Sequence, residues 1–405
     1  MNHQILNRRT WLRGAIAALL GSTGALAEPS RAPFEQWVEA FRARARAKRI
    51  SDQTYDRVMR GLKPDTRVFA LQAAQPEFRE QVWQYLNRRV SDWRMIAGRE
   101  KVREHDALFD RIEKDYGVDR YLLLALWGVE SAYGDPLVQQ NHMRPVFPAL
   151  AALAWGEPRR RSYWETELLN ALIIVERGWS TPEEMRGSWA GAMGHSQWMP
   201  EVWLNVGLDY DRDGRVSPFG KPDDAVGSSA RYLVQRGKYR RGEHWGYEVT
   251  GVSVGFDASR TYEAWQAAGI KRTGGRPFPQ PKATARLFVP VPGGPAFLLG
   301  HNFYAVRSYN PSMNYALAIA HLSDRLRGDG PFTKAFPNSE RTPTLAEVTE
   351  IQDRLTKAGF DTGGVDGRIG NDTMKAVRDY QRKVGLEPAD GYAGLKVLAR
   401  LRQGA

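Results

Sequence analysis

The chain has 405 residues, 42% hydrophobic and 26% charged, enough for more than one globular domain. A net charge of +12 favours a polyanionic partner, either nucleic acid or a carboxylate-rich polymer. The absence of cysteine excludes disulfides, thiol nucleophiles, cysteine-zinc sites and a lipid-bearing N-terminal cysteine.

The first residues read as an export signal. Arg8-Arg9 and Trp11-Leu12-Arg13 precede a short apolar run, Ala15 to Leu20, and a small-x-small site at Ala25-Leu26-Ala27. The alternative is a basic, disordered start. The run is too short to span a bilayer, and no later segment reaches about 20 apolar residues, so no transmembrane helix is expected. Phe34, Trp37, Val38 and Phe41 repeat at amphipathic-helix spacing. Arg42, Arg44, Arg46, Lys48 and Arg49 coat its solvated face. From Arg79 to Gly117 the pattern predicts one or two long helices.

A buried helix is predicted over 121–131, in "YLLLALWGVESAYG". Its single acid, Glu130, stands at the end of nine uncharged residues. A buried carboxylate without a partner is costly. Glu130 is therefore a packing accident, half of an ion pair, or a working acid. A helix over "RRRSYWETELLNALIIVERGW" and the Gly-rich "GSWAGAMGHSQWMP" (187–200) come next. An acidic loop at 209–224 leads into a helix in "PDDAVGSSARYLVQRG". "GYEVTGVSV", "ATARLFVPV" and "FLLGHNFYAVRSY" predict a small β-containing subdomain. "NPSMNYALAIAHLSDRLRG" returns to helix. The polar, Pro- and Gly-containing stretch 331–344 is expected to be a linker. Two amphipathic helices around a Gly-Asp loop, then a short third helix, make a small unit at 345–405.

"GVESAYG", "GSWAGAMGHSQWMP" and "SYNPSMNY", in this order, resemble the lytic murein transglycosylase B family, with its lysozyme-like core. The resemblance runs from about residue 34 to 330. It implies an α+β, predominantly α fold: an N-terminal helical part, a lysozyme-like core, a small β-containing subdomain and a separate C-terminal three-helix domain. It implies Glu130 as catalytic acid. Ser188, Gln197, Tyr232, Tyr309, Asn310, Tyr315 and Tyr85 are the implied substrate-site residues, Tyr85 in the least distinctive surroundings. His195-Ser196 and Trp198 are variations within the Gly-rich block.

The chemistry agrees with that role. A general acid must hold its proton near neutral pH, above the ordinary glutamate value of about 4.3. Desolvation by the apolar helix acts in that direction. Ser188 and Asn310 are expected to orient the carboxyl by neutral hydrogen bonds. Most glycosidases use two carboxylates; the three core blocks hold one. The resemblance implies that the substrate's N-acetyl group assists and that the C6 hydroxyl of N-acetylmuramic acid closes a 1,6-anhydro ring. The alternatives are a hydrolytic muramidase and a non-catalytic wall-binding scaffold. A nucleic-acid binder explains the charge but neither the export signal nor these blocks.

Asp209, Asp211, Asp213 and Gly214 match positions 1, 3, 5 and 6 of an EF-hand loop. The twelfth position is Gly220 rather than Glu, so an ordinary EF-hand fails. The resemblance implies Asp224 as the last carboxylate, with Asp223 as competitor, and the Arg215 carbonyl as a backbone ligand. The expected ion is structural calcium, with no cofactor in catalysis; the alternative is an Asx-rich turn that caps a helix. "VDGRIGNDTMKAVRDYQ" resembles the peptidoglycan-binding type 1 domain, over about 345–402; a three-helix spacer is the alternative. The expected organisation is a signal peptide at 1–27, a catalytic region at 28–330, the linker at 331–344 and a peptidoglycan-binding domain at 345–405. The expected protein is a soluble periplasmic monomer whose partners are glycan strands and stem peptides, with no nucleic acid.

Overall fold

The computed structural model describes residues 33–73, 80–135, 143–252 and 259–404. The export-signal reading lies outside the described residues. Among them, no helix is long and apolar enough to cross a membrane.

Two helical layers meet at the centre. In the first, Phe34–Ala47 and Asp52–Met59 lie against the packed pair Val146–Gly156 and Arg161–Glu176. Val146–Gly156 is apolar on nearly every side and is accordingly buried on nearly every side. In the second, Arg120–Ser131 packs on Met313–Arg327, and Val82–Arg89, Asp92–Glu104, Asp106–Tyr116 and Asp223–Gln235 surround the pair. Burial of Leu122 to Gly128 makes this helix the spine of the domain.

Where one or two long helices are predicted over 79–117, the chain makes three. The breaks fall at Val90-Ser91 and at His105. Ser91 is an N-cap whose side chain accepts the Arg94 N–H, a local bond that competes with helix continuation.

A five-stranded antiparallel sheet lies beside the second layer. The strands are β3 (Gly246–Thr250), β4 (Ser259–Thr261), β5 (Lys271–Arg272), β6 (Thr284–Phe288) and β7 (Ala296–Leu299), in the order β4-β6-β7-β3-β5. Tyr247 opposes Leu298 in the register. The predicted β-rich run "FLLGHNFYAVRSY" divides: after Gly300 it becomes the helix His301–Arg307. A two-residue pair, β1 (Arg144–Pro145) with β2 (Arg186–Gly187), ties the start of Val146–Gly156 to the Gly-rich block.

The C-terminal helices Leu345–Lys357, Asn371–Val384 and Leu395–Arg402 enclose a core of their own. The stretch expected as a linker is bonded to the preceding part of the chain at several points. Thr333 and Lys334 donate their N–H groups to Glu248, Phe336 is buried, and Thr342 donates to Asn87.

Candidate active site

Glu130 sits on the last turn of Arg120–Ser131. Asp119 caps the start of that helix by accepting the Leu122 N–H, and Ala132 ends it at a left-handed φ of 53°. Tyr133 folds back over Gly128, where any side chain would collide with its ring, and its hydroxyl donates to the Arg94 carbonyl at 2.9 Å. Arg94 in turn donates to the Gly128 carbonyl at 2.9 Å, satisfying the helix C-terminus with a half-buried cation. Burial pulls the Arg94 guanidinium down to about 10. Sequence reasoning missed Arg94, because "SDWRM" reads as an ordinary helix start.

Tyr315 donates its hydroxyl directly to Glu130 Oε1. Burial, then the Glu130 charge, drives the Tyr315 pKa well above the usual phenol value, so it remains a neutral donor. "SYNPSMNY" is built to aim it. Asn310 Oδ1 accepts the Ser312 N–H at 3.0 Å, and Ser312 caps Met313–Arg327 by accepting the Tyr315 N–H at 3.3 Å. Sequence assigned orientation of the acid to Ser188 and Asn310. In the structure Tyr315 makes that bond, while Asn310 shapes the turn that places it.

Tyr309 lies beside the acid: burial first, and then the Glu130 charge, raises its pKa. Its hydroxyl donates to the Ser196 carbonyl at 2.7 Å and its ring meets Tyr232 edge-on at 4.8 Å. Tyr232 donates to the Ser308 carbonyl at 2.9 Å. Tyr85 is 1% exposed in the core near Tyr315, with the Arg89 guanidinium 5.0 Å over its ring. It packs near the phenol that bonds the acid and offers no face to a ligand.

The Gly-rich block forms a tight ribbon. Gly187 bridges Met193, and Met193 bridges Trp198. Ser188 Oγ accepts the N–H groups of Ala190 and Ala192 at 3.3 and 3.2 Å, so it stiffens the loop. Gln197 is held at a left-handed φ of 49°, and its Nε2 donates to the Gly194 carbonyl at 2.9 Å. Such a conformation in a non-glycine residue is costly and often marks a functional site.

His195 has a role that the sequence left open. The Trp127 indole N–H, which can only donate, points at Nδ1 from 3.1 Å. The ring proton therefore lies on Nε2, which donates to the Gly220 carbonyl at 2.8 Å. Burial lowers the His195 pKa, favouring this neutral form. Ser131 donates to the His195 carbonyl at 2.6 Å. Together these bonds wire the Glu130 helix to the acidic loop. Glu167, also missed, caps Pro200–Val206 by accepting the Glu201 N–H at 3.0 Å; burial pushes its carboxyl up to about 7.

In the acidic loop, Asp209, Asp211 and Asp213 bring one carboxylate oxygen each within 4.8 Å of one another. That spread fits a single cation with oxygen ligands at 2.3–2.6 Å, about the calcium distance. Lys221 donates to Asp211 and Asp209 accepts two backbone N–H groups, so the cluster is partly neutralised from within. Asp224 stands outside that trio. Its carboxylate accepts the N–H groups of Tyr210 at 2.6 Å and Ser217 at 2.9 Å and closes the loop. Asp223 pairs with Arg111 at 3.2 Å. The Arg215 N–H is bonded to Asp213.

Comparison with known proteins agrees with this geometry. Residues 33–324 match the transglycosylase SLT domain and residues 344–401 a peptidoglycan binding domain. Over 224 residues the chain is 29% identical to the membrane-bound lytic murein transglycosylase B of Escherichia coli (strain K12), covering 54% of this chain and 60% of that protein. The structure of SltB3 from Pseudomonas aeruginosa in complex with NAG-anhNAM-pentapeptide is 37% identical and superposes with a TM-score of 0.70, over 91% of this chain and 99% of that one. The Escherichia coli lytic transglycosylase Slt35 in complex with calcium is 25% identical, with a TM-score of 0.62, over 72% of this chain and 92% of that one. This chain belongs to the transglycosylase SLT domain family and carries a peptidoglycan binding domain behind its catalytic region.

Proposed function

We propose that the protein is a lytic transglycosylase that cleaves the β-1,4 bond between N-acetylmuramic acid and N-acetylglucosamine in peptidoglycan. The observation that carries this reading is a single carboxylate, Glu130, at the end of a buried apolar helix, hydrogen-bonded by a phenol that keeps its proton. Tyr309 lies beside it, Tyr232 meets Tyr309 from the helix Asp223–Gln235, and Gln197 lies on the turn whose Ser196 carbonyl Tyr309 bonds.

Protonated Glu130 gives its proton to the glycosidic oxygen as the bond to C1 breaks. The substrate's own N-acetyl carbonyl stabilises the cation that develops at C1. Glu130, now a carboxylate steadied by the Tyr315 hydroxyl, removes the proton from the C6 hydroxyl, and that oxygen bonds to C1. The enzyme regains its proton, no water is consumed, and the product ends in a 1,6-anhydromuramoyl ring. A neutral donor suits this cycle. It supports the anion after the first step without fixing it as an anion beforehand, as an arginine would.

Mass spectrometry of the muropeptides released from purified sacculi tests the assignment. Anhydromuramoyl products are expected; products heavier by one water, with reducing ends only, contradict it. Replacing Tyr315 with Phe is expected to lower kcat by about 10- to 100-fold, as loss of a hydrogen bond to a charged group does, with KM little changed. Steady-state kinetics on soluble glycan strands measures this.

The basic charge and the twin-arginine start support reading the protein as an exported periplasmic enzyme with a signal peptide at 1–27, acting on the cell wall. Asp209, Asp211 and Asp213 would hold a structural calcium ion, with carbonyl and water oxygens completing its shell, and no metal takes part in the chemistry. Millimolar calcium is expected to raise the melting temperature by about 3–6 °C, through preferential binding to the folded state. The shift vanishes in Asp209→Asn if this loop is the site; no shift in the unaltered protein argues against an ion there.

A further inference from the structure

His195 grips the last turn of the Glu130 helix with both its ring and its backbone. The Trp127 indole donates to Nδ1 at 3.1 Å, and Ser131 donates to the His195 carbonyl at 2.6 Å. Trp127 and Ser131 flank Glu130 in sequence and, four positions apart, share one face of the helix. Gly134 closes over the imidazole, where any side chain would collide with Nδ1 and Cε1, and its N–H donates to Ser131 Oγ at 2.9 Å. On the other side, the ring and the backbone N–H of His195 are bonded to the Gly220 and Pro218 carbonyls at 2.8 and 2.9 Å. The next residue, Ser196, supplies the carbonyl that takes the Tyr309 hydroxyl at 2.7 Å. His195-Ser196 thus fixes the acid's helix and the phenol beside the acid relative to one another.

The bond to Trp127 exists in one protonation state of the ring. An indole N–H can only donate, so Nδ1 must present its lone pair. Nε2 already carries a proton, so a second one lands on Nδ1. Two N–H groups then face each other and the bond is lost. The charged groups nearby do not rescue it. Burial lowers the His195 pKa, the Gly220 carbonyl opposes this, and His105 and Lys101 add to it. The acid beside those two, Glu104, is bonded to Lys101 at 2.6 Å and lies 3.3 Å from His105. Beyond Gly134, Asp135 is paired with Arg368. On the loop side, Lys221 pairs with Asp211 and Asp223 with Arg111. Asp224 accepts backbone N–H groups of its own loop, and Glu130 is bonded by Tyr315.

We infer that His195 is a positioning residue for Glu130 that works only as the neutral ring, so that a proton taken up at Nδ1 frees the acid's helix and switches catalysis off on the acid side. The inference rests on the transglycosylase reading and adds a pH limit to it. A cycle with one carboxylate has one titration of its own: activity falls as pH rises and Glu130 loses its proton. It has no acid limb, and His195 supplies one. The sign follows from burial. The neutral ring's contribution to stability is complete above the ordinary histidine value of 6.5 and is lost as pH falls through the lowered one.

The test is kcat for anhydro-end formation on soluble glycan strands, measured with the full chain from about pH 4 to 9, with circular dichroism at each pH to confirm the fold. The unaltered protein is expected to give a bell whose acid midpoint lies below 6.5. His195→Asn leaves an oxygen near the Nδ1 position that accepts the indole N–H and does not titrate. It is expected to lower kcat at the optimum by about three- to tenfold and to remove the acid limb, with the alkaline limb in place. His195→Gln, whose amide reaches the Nε2 position instead, keeps the Gly220 bond but not the Trp127 bond. It is expected to lower kcat by about tenfold or more across the whole range. A flat acid side in the folded, unaltered protein, or an acid limb unchanged in folded His195→Asn, overturns the inference. If neither variant folds, NMR titration of the histidine ring nitrogens in the unaltered protein decides. The His195 midpoint is expected to coincide with the acid limb, and a separation of more than about one pH unit overturns the inference. Absence of anhydro ends at every pH overturns the transglycosylase reading itself.

Discussion

Glu130→Gln is expected to lower lytic activity by about 10³-fold while the melting temperature stays within about 1 °C of the unaltered protein. Glutamine has nearly the same volume and still offers Tyr315 a carbonyl oxygen to donate to, so packing at the helix end is preserved. It cannot release a proton to the glycosidic oxygen or recover one from the C6 hydroxyl. Both halves of the cycle fail together. Activity assays on sacculi, paired with thermal melts, measure the two quantities. Substantial residual lysis would mean that another group supplies the proton.

The second large effect is expected far from the acid in sequence. Gly194→Ala destabilises the fold by about 3 kcal/mol or more, lowers the melting temperature by about 6–10 °C and reduces activity in the surviving folded fraction. Gly194 has a φ of 69°, and a Cβ there would collide with the Pro218 carbonyl. Neither side of that contact is free to retreat. The Pro218 carbonyl accepts the His195 N–H at 2.9 Å, and the Gly194 carbonyl accepts the Gln197 amide at 2.9 Å. A shift that relieves the collision disturbs His195, and with it the bond to Trp127 on the Glu130 helix. Gly214→Ala is the control. Its φ is 89°, but nothing lies within 4 Å of the added atom, so only the backbone cost of about 1–2 kcal/mol applies. Equal losses at the two glycines would refute the idea that the block is wedged against the acidic loop.

Much of this arrangement was legible in the sequence because its causes are local. The uncharged run before Glu130 gives a buried helix whatever surrounds it, and the structure has it over Arg120–Ser131. Asp209, Asp211 and Asp213 converge because alternate residues around a glycine turn must. The features that were not legible depend on distant partners. Tyr315 meets Glu130 across 185 positions, a pairing that no spacing rule contains. Asn310 also shapes the turn before Tyr315 through its carbonyl oxygen, a role that its residue type does not announce. His195 reads as a variation in a glycine-rich block, while its two ring nitrogens join elements from both sides. The stretch 331–344 has a linker's composition, but Glu248 and Asn87, which hold it, belong to other parts of the chain.

The central claim is that one carboxylate serves as acid and then base while the substrate's own hydroxyl replaces water. Digestion of peptidoglycan in water enriched in oxygen-18 tests it most directly. The account predicts anhydromuramoyl products that carry no heavy oxygen at the new end. Incorporation of one heavy oxygen per bond cleaved, with loss of that cleavage in Glu130→Gln, would contradict it and make the protein a hydrolase.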